Sequence, residues 1–327
     1  MTTVARAPVA LRPFEDADYP AYVEIANEAY PEYGWTVEEV RHWDAEWRPD
    51  GFFQRRMIAE DAGVPVAYSD ASNERGHFVP EHYGLDVAVR PAARRRGIGL
   101  ALYEDAVRAL RARGGRLVRT GVKESYDGGV AFAQRIGAVE LERHWESRLD
   151  LAAFDPAPFQ AAPARAAAAG VRITTLADEL KADPLAVRKA WVLHEEARLD
   201  VPSVDPVTPS PYERFEDKVL RSPTALPEAH FIAIRAGRYV GESSMGPEGT
   251  DAGVIYQHLT GVLRDERGKG IAMALKLRTV EYAKARGFRE IRTWNASINR
   301  QMLSINEALG FVKQPAWITL VKDLSIS

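Results

Sequence analysis

The feature that most constrains this chain is a repeat. Gly97 and Gly270 stand 173 positions apart. The same offset places Arg94 on Arg267, Ile98 on Ile271, Leu102 on Leu275 and Val107 on Val280. It continues through Gly114 and Gly287, Thr120 and Thr293, and Gly137 and Gly310, with no gap. One matched glycine pair arises by chance, but a gapless register through all of these does not. The chain therefore reads as two copies of one domain, 1–155 and 170–327. The connector, 156–169, is rich in alanine and proline and reads as an extended linker or, through its alanine run, a short helical turn. A length of 327 residues accommodates two domains of ordinary size.

Each copy carries the same order of patterns. An apolar-periodic, helical segment comes early, at Asp16–Tyr30 and Asp183–Leu199. In copy two, two short apolar runs flank Ala236-Gly237, which predicts a hairpin. A strand then ends at Val89 or Val262, and a basic, glycine-containing turn follows. After the turn, Ile98, Leu102, Val107 and Leu110 have helical spacing, as do Ile271, Leu275, Val280 and Ala283. Gly114 and Gly287 stand where a helix is capped. Strands over 116–122 and 289–295, a further helix, and last strands over 139–149 and 311–321 complete the units. The segments 30–53 and 200–215 read as long, irregular loops. The fold class expected is a mixed α/β (α+β) domain, present twice.

The turn is the chemically informative element. The first turn of a helix leaves backbone N–H groups unpaired, and the helix dipole adds partial positive charge there. Glycine lets a ligand approach the backbone. Arg94, Arg95, Arg96, Gly97 and Gly99, and Arg267, Gly268, Lys269, Gly270, Ile271 and Ala272, therefore form candidate phosphate cradles. A P-loop is excluded, because Lys269 is followed by glycine and not by Ser or Thr. The dinucleotide fingerprint is excluded as well, since Leu102 and Met273 stand where its third glycine belongs.

This Arg-x-x-Gly-x-Gly/Ala turn between strand and helix resembles the GNAT superfamily of N-acetyltransferases. The first strand and loop, Leu11-Arg-Pro-Phe-Glu-Asp-Ala-Asp, fit that resemblance, and so do Thr293-Trp-Asn, Asn299, Asn306 and Leu309-Gly-Phe. The resemblance implies two domains, each with a mixed, mostly antiparallel sheet, a central splayed parallel strand pair and flanking helices. It implies acetyl-CoA as cosubstrate, its diphosphate on the turn and its pantetheine arm between the parted strands, 256–262 with 289–295 and 83–89 with 116–122. It implies direct acetyl transfer to a primary amine of a small molecule, in the second copy. The alternative is a non-catalytic CoA-binding or interaction module of the same fold.

For the oxyanion the resemblance points to the backbone amide of Val262, which is otherwise an ordinary ladder amide. His258 reads as a base or as a packed strand residue. Glu242 reads as a base acting through water or as a contact for a cationic substrate. Family members commonly carry a tyrosine four residues before the Leu-Gly-Phe glycine; here Asn306 and Ala133 occupy that place. Asn299 and Asn306 are two helical turns apart and read as contacts to the pantetheine or acetyl group, with helix capping the other reading of Asn299. Copy one has Tyr126 and Ala133 instead, and either binds CoA without catalysis or supports copy two.

Composition removes other classes. There is no cysteine, which excludes disulfides, thiolate nucleophiles, Cys-ligated zinc and iron–sulfur clusters. The histidines lack metal-motif spacing, so no metal is expected. A net charge of −3 gives no general attraction to nucleic acid. The N-terminus lacks the apolar core of a secretory leader, and no run is long and apolar enough to span a membrane. These points, with an Ala/Arg-rich composition typical of GC-rich bacterial genomes, give the expectation of a cytoplasmic bacterial protein, monomer or homodimer, without nucleic-acid or membrane partners.

Overall fold

The computed structural model describes residues 9–47 and 51–325. Residues 1–8, where the stretch read as leaderless begins, and residues 48–50 and 326–327 lie outside the described residues. The first half runs β1 (Ala10–Pro13), α1 (Tyr19–Ala29), α2 (Val37–Trp47), β2 (Gln54–Asp61), β3 (Val64–Asn73), β4 (His82–Val89), α3 (Ile98–Ala112), β5 (Leu117–Lys123), α4 (Asp127–Arg135) and β6 (Val139–Asp150). The second runs α5 (Ala161–Ala168), β7 (Val171–Thr175), α6 (Leu176–Ala182), α7 (Ala186–Arg198), α8 (Tyr212–Leu220), β8 (Phe231–Arg235), β9 (Arg238–Pro247), β10 (Val254–Val262), α9 (Ile271–Ala285), β11 (Glu290–Ala296), α10 (Arg300–Ala308), β12 (Val312–Lys313) and β13 (Trp317–Asp323).

Two compact units result, one ending at Leu141 but taking in the chain from Ile318 onward, the other Glu142–Trp317. In the first, β1 to β4 are successive antiparallel neighbours, β5 lies parallel to β4, and β13 stands beside β5. In the second, β7 to β10 are antiparallel, β11 is parallel to β10, and β6 pairs antiparallel with β11. The strands of each unit are thus mostly antiparallel around one parallel pair, as expected. The last strands differ from expectation. Residues 144–150 of β6 pair with β11, so they extend the strands of the second unit. The strand at the chain's end, β13, is grouped with the first. Alternating side chains fix which face of a strand is buried but not which neighbour it joins, so sequence pattern could not choose between these pairings.

Local chemistry explains the rest. Ala236 (φ +48°) and Gly237 (φ +77°) turn β8 into β9, and Ala62 (+52°) and Gly63 (+81°) do the same between β2 and β3. Two consecutive left-handed residues match the twist of a two-residue hairpin. After α3 and α9, Gly115 and Phe288 donate N–H to the carbonyls of Leu110 and Ala283, the hydrogen bond that closes a helix past a left-handed glycine. The alanine run of the connector forms α5, whose Ala166 is buried with Val262, Ile271 and Leu275, so the helical alternative applies. The two segments read as irregular hold α2 and the start of α8.

Candidate functional site

The turn before α9 has the form a diphosphate requires. Gly268 and Gly270 are left-handed, at φ +78° and +80°. Among the described residues the amides of Gly268, Lys269 and Gly270 donate to nothing, and the first helical bond runs from Ala274 N–H to the Gly270 carbonyl. A run of N–H groups from 268 to 273 is therefore available at the positive end of the helix dipole. The basic side chains face elsewhere. The Arg267 guanidinium donates to the Val262 carbonyl at 3.0 Å and pairs with Asp200, which also pairs with Arg264. Lys269 bonds the Asp265 carbonyl at 2.9 Å and Glu266 at 3.0 Å. Arg267 thus anchors the turn to the strand, and the cradle itself is backbone.

Before the turn, β10 and β11 pair only from Val254–Glu290 to Gln257–Thr293 and then part. The register of β10 on β9 slips between Gln257 and Thr260, a bulge that inserts one extra residue at His258–Leu259. Bulges of this kind re-aim side chains and bend the strand. Leu263 donates its N–H to Val240 on β9. By strand alternation the Val262 N–H points to the other side, into the gap left by β11. That is the geometry an oxyanion donor needs.

Glu242, on β9, is fully buried. One oxygen meets His194 Nδ1 of α7 at 2.9 Å and the other His230 Nε2 at 2.7 Å. Burial alone would raise its pKa, but the two imidazoles outweigh this and hold it at about 2. Glu242 is therefore an ionised holder of two histidines, with neither oxygen open to a substrate. Phe215 of α8 packs against both rings, at 5.1 Å from His194 and 6.4 Å from His230. His258 keeps more than a third of its surface open, although the protein packed around its ring strips much of the water from it. Burial, then the charges of Lys218, His230 and His194, push its pKa well below the usual 6.5, so the ring is neutral. A Cβ on Gly246 would stand 2.6 Å from His258 Nε2, so the glycine is what lets this ring lie across β9.

Asn306 is buried, and its Nδ2 donates to Asn295 Oδ1 of β11 at 2.7 Å, while its own Oδ1 has no partner among the described residues. The two amides thus sit together beside the parted strands with one buried acceptor unsatisfied. Asn299 caps α10, its Oδ1 accepting from Met302 N–H at 3.3 Å. The capping reading of Asn299 is the one seen. His194 and His230 were not singled out from sequence, and Asn295 entered only as the end of the Thr293-Trp-Asn motif. Only folding brings a helix histidine and a pre-strand histidine onto one strand carboxylate.

The first unit repeats the turn. Gly97 is left-handed, and the amides of Arg95, Arg96 and Gly97 donate to nothing among the described residues. Arg94 bonds the Val89 carbonyl at 3.0 Å, the counterpart of Arg267 on Val262. Arg96 pairs with Asp61 at 2.8 Å. Arg95 adopts φ +63° where copy two has Gly268, a strained position for a residue with a Cβ. Gly99 faces Val89 and Phe132. β4 and β5 also part, after Gly84–Arg119, but β4 pairs with β3 without a bulge. No cluster of His, Asp and Glu suited to a metal occurs among the described residues, and none of their helices is long and apolar enough to cross a membrane.

The model of the acetyltransferase (GNAT) family matches twice, at residues 19–138 and 191–311. A mycothiol acetyltransferase from Thermobispora bispora is 26% identical over 233 residues, covering 70% of this chain and 72% of that one. Among solved structures, a tandem GNAT protein from the clavulanic acid biosynthesis pathway superposes with a TM-score of 0.72 at 21% identity, covering 98% of this chain and all of that one. A GCN5-related N-acetyltransferase from Sphaerobacter thermophilus gives 0.67 at 20% identity, covering 97% and 96%. The tandem arrangement is thus similar to that of mycothiol synthase. With a family model matching well over half of its residues, in two successive copies, the chain belongs to the GNAT family of acetyltransferases.

Proposed function

We propose that the protein transfers an acetyl group from acetyl-CoA to a primary amine of a small molecule, directly, in a ternary complex held by the second unit. The observation that carries this reading is the parted β10–β11 pair opening onto a turn of unpaired amides at the start of α9. The diphosphate rests on the amides of 268–272, and the pantetheine arm enters the gap, where Asn306 Oδ1 is a buried acceptor for one of its N–H groups. The Val262 N–H then faces the thioester carbonyl and stabilises the oxyanion as the amine attacks. The bulge at His258–Leu259, absent from β4, favours the second unit as the catalytic one.

The attacking amine must lose a proton. His194 Nδ1–H donates to ionised Glu242, which leaves Nε2 as the basic nitrogen and holds the ring in one tautomer. Glu242 is then a positioning residue. Bond formation from the amine nitrogen to the thioester carbon gives the tetrahedral intermediate, the nitrogen's proton passing to His194 Nε2; re-formation of the carbonyl breaks the carbon–sulfur bond and expels the CoA thiolate, which takes its proton from water because Asn306 has no acidic hydrogen. The missing phenol is also the one observation that favours a CoA-binding module without turnover.

Release of free CoA thiol in the presence of a panel of small primary amines tests the proposal. Turnover with at least one amine is expected, falling by ~10²-fold or more in His194→Gln at unchanged acetyl-CoA affinity. Acetyl-CoA binding without thiol release across the panel supports the non-catalytic module. Unaltered turnover in His194→Gln removes it as the base.

A further inference from the structure

A lysine lies in the core of the second unit. Lys276 of α9 is 1% exposed. Its Nζ donates to Gln257 Oε1 of β10 and stands 5.2 Å from the centre of the Phe311 ring. An ammonium buried without a carboxylate partner is costly, and burial alone lowers this pKa to about 7. The two groups that meet the amine, Gln257 and Phe311, carry no charge and do not titrate.

The glutamine it holds sits at the bulge. Gln257 is the last residue of β10 paired with β11, and its carbonyl accepts from Thr293 Oγ1 at 3.1 Å. An ammonium has only hydrogens to offer, so it takes Oε1 and fixes which way the amide faces. The Gln257 Nε2 then donates to Thr279 Oγ1 at 2.8 Å and to Ser243 Oγ of β9 at 3.1 Å. Ser243 Oγ also bonds Thr260 Oγ1 at 2.8 Å. Gln257 and Thr260 flank the bulge, so one β9 hydroxyl ties its two ends together. The first unit has no such chain. The repeat offset puts Tyr103 and Ala106 at the places of Lys276 and Thr279, and Leu85 at that of Gln257 once the bulge residue is allowed for. These three belong to an apolar cluster. Ser69, opposite Val87 as Ser243 is opposite Thr260, has no hydrogen-bond partner for its Oγ among the described residues. The buried lysine and the bulge thus occur together.

We propose that Lys276 is a positioning residue for acetyl transfer: through Gln257 it sets the bulge of β10, and with it the direction of the Val262 N–H. The inference rests on the reading of Val262 as donor to the thioester carbonyl. Val262 follows Thr260 by two residues, so the shape of the bulge decides where its amide points. An oxyanion donor is effective only when its direction is fixed beforehand.

The test follows acetyl-CoA, ¹³C-labelled at the acetyl carbonyl, by NMR in complex with the full chain. A hydrogen bond from Val262 polarises the carbonyl and moves its resonance downfield on binding. Lys276→Met keeps the length of the side chain and removes the charge. Most of the displacement should be lost in this variant, with acetyl-CoA affinity by calorimetry held within about threefold. In the parent the displacement should decline as pH rises through about 7, where the amine loses its charge and grips Gln257 less. The variant should show no such step, which a lysine that merely fills space would not produce in either protein. A displacement retained by Lys276→Met overturns the proposal, as does a parent profile flat through this pH or a step that persists in the variant. No displacement in the bound parent overturns the reading of Val262 itself, and the inference with it. If Lys276→Met does not fold, Lys276→Met combined with Gln257→Leu, an apolar pair like that of the first unit, is read in the same way.

Discussion

At the residue scale, the second unit is organised around one carboxylate. Glu242 reads from sequence as a candidate to touch substrate because it interrupts an apolar strand. The structure gives both its oxygens to histidines, and this was not legible because His194 and His230 lie on other elements. His258 was legible as a strand histidine of open role, and its environment supplies a measurable signature. The folded ring stays neutral down to about 3, whereas an unfolded one takes up a proton near 6.5. Between those values the unfolded state binds the extra proton, so stability falls as pH falls through this window. Glu242, held at about 2 against an ordinary 4.5, adds a loss that begins only at lower pH. His258→Gln should therefore show a flatter dependence of Tm on pH than the parent between pH 6.5 and 4.5. Parallel curves would remove the neutral histidine from the account.

At the element scale, the strand–turn–helix unit was the most legible part of the chain. Its glycines are required by left-handed backbone at 97, 268 and 270, and glycine spacing survives in sequence. The role of the arginines was not legible. Arg94 and Arg267 both bond the last carbonyl of the preceding strand, and such a bond leaves no mark beyond the residue type. The cradle is tested by a substitution that does not strain the backbone. Ala272 is the second residue of α9, where a carboxylate stabilises the helix by ~0.3–1 kcal/mol but repels a diphosphate. Ala272 also packs against the Val262 and Ile271 cluster, so Tm is measured alongside; in the folded protein Ala272→Asp should weaken acetyl-CoA affinity by about tenfold or more, read by calorimetry. Retained affinity would place the diphosphate elsewhere. Replacing Gly270 is less informative, because a Cβ there meets the Ala162 carbonyl of α5 at 3.0 Å as well as an unfavourable φ.

At the scale of the whole molecule, the repeat announced two copies, and the two family matches and the two compact units agree with it. The partnership of the last strands was hidden, because β6 carries the same alternation whichever sheet it joins. A cut at 155/156 makes the consequence measurable. The fragment 156–327 lacks β6, leaving the edge of β11 bare of its antiparallel partner. It should fail to melt cooperatively, whereas 142–317, which carries β6, should do so in circular dichroism. Cooperative unfolding of 156–327 with the stability of 142–317 would show that β6 is dispensable to that sheet.

A crystal structure of the chain with bound acetyl-CoA tests the central claim most directly. The account predicts diphosphate oxygens within hydrogen-bonding distance of the amides of 268–272, and the thioester beside the Val262 N–H between β10 and β11. A donor bound away from this turn, with the gap between these strands unentered, would contradict it.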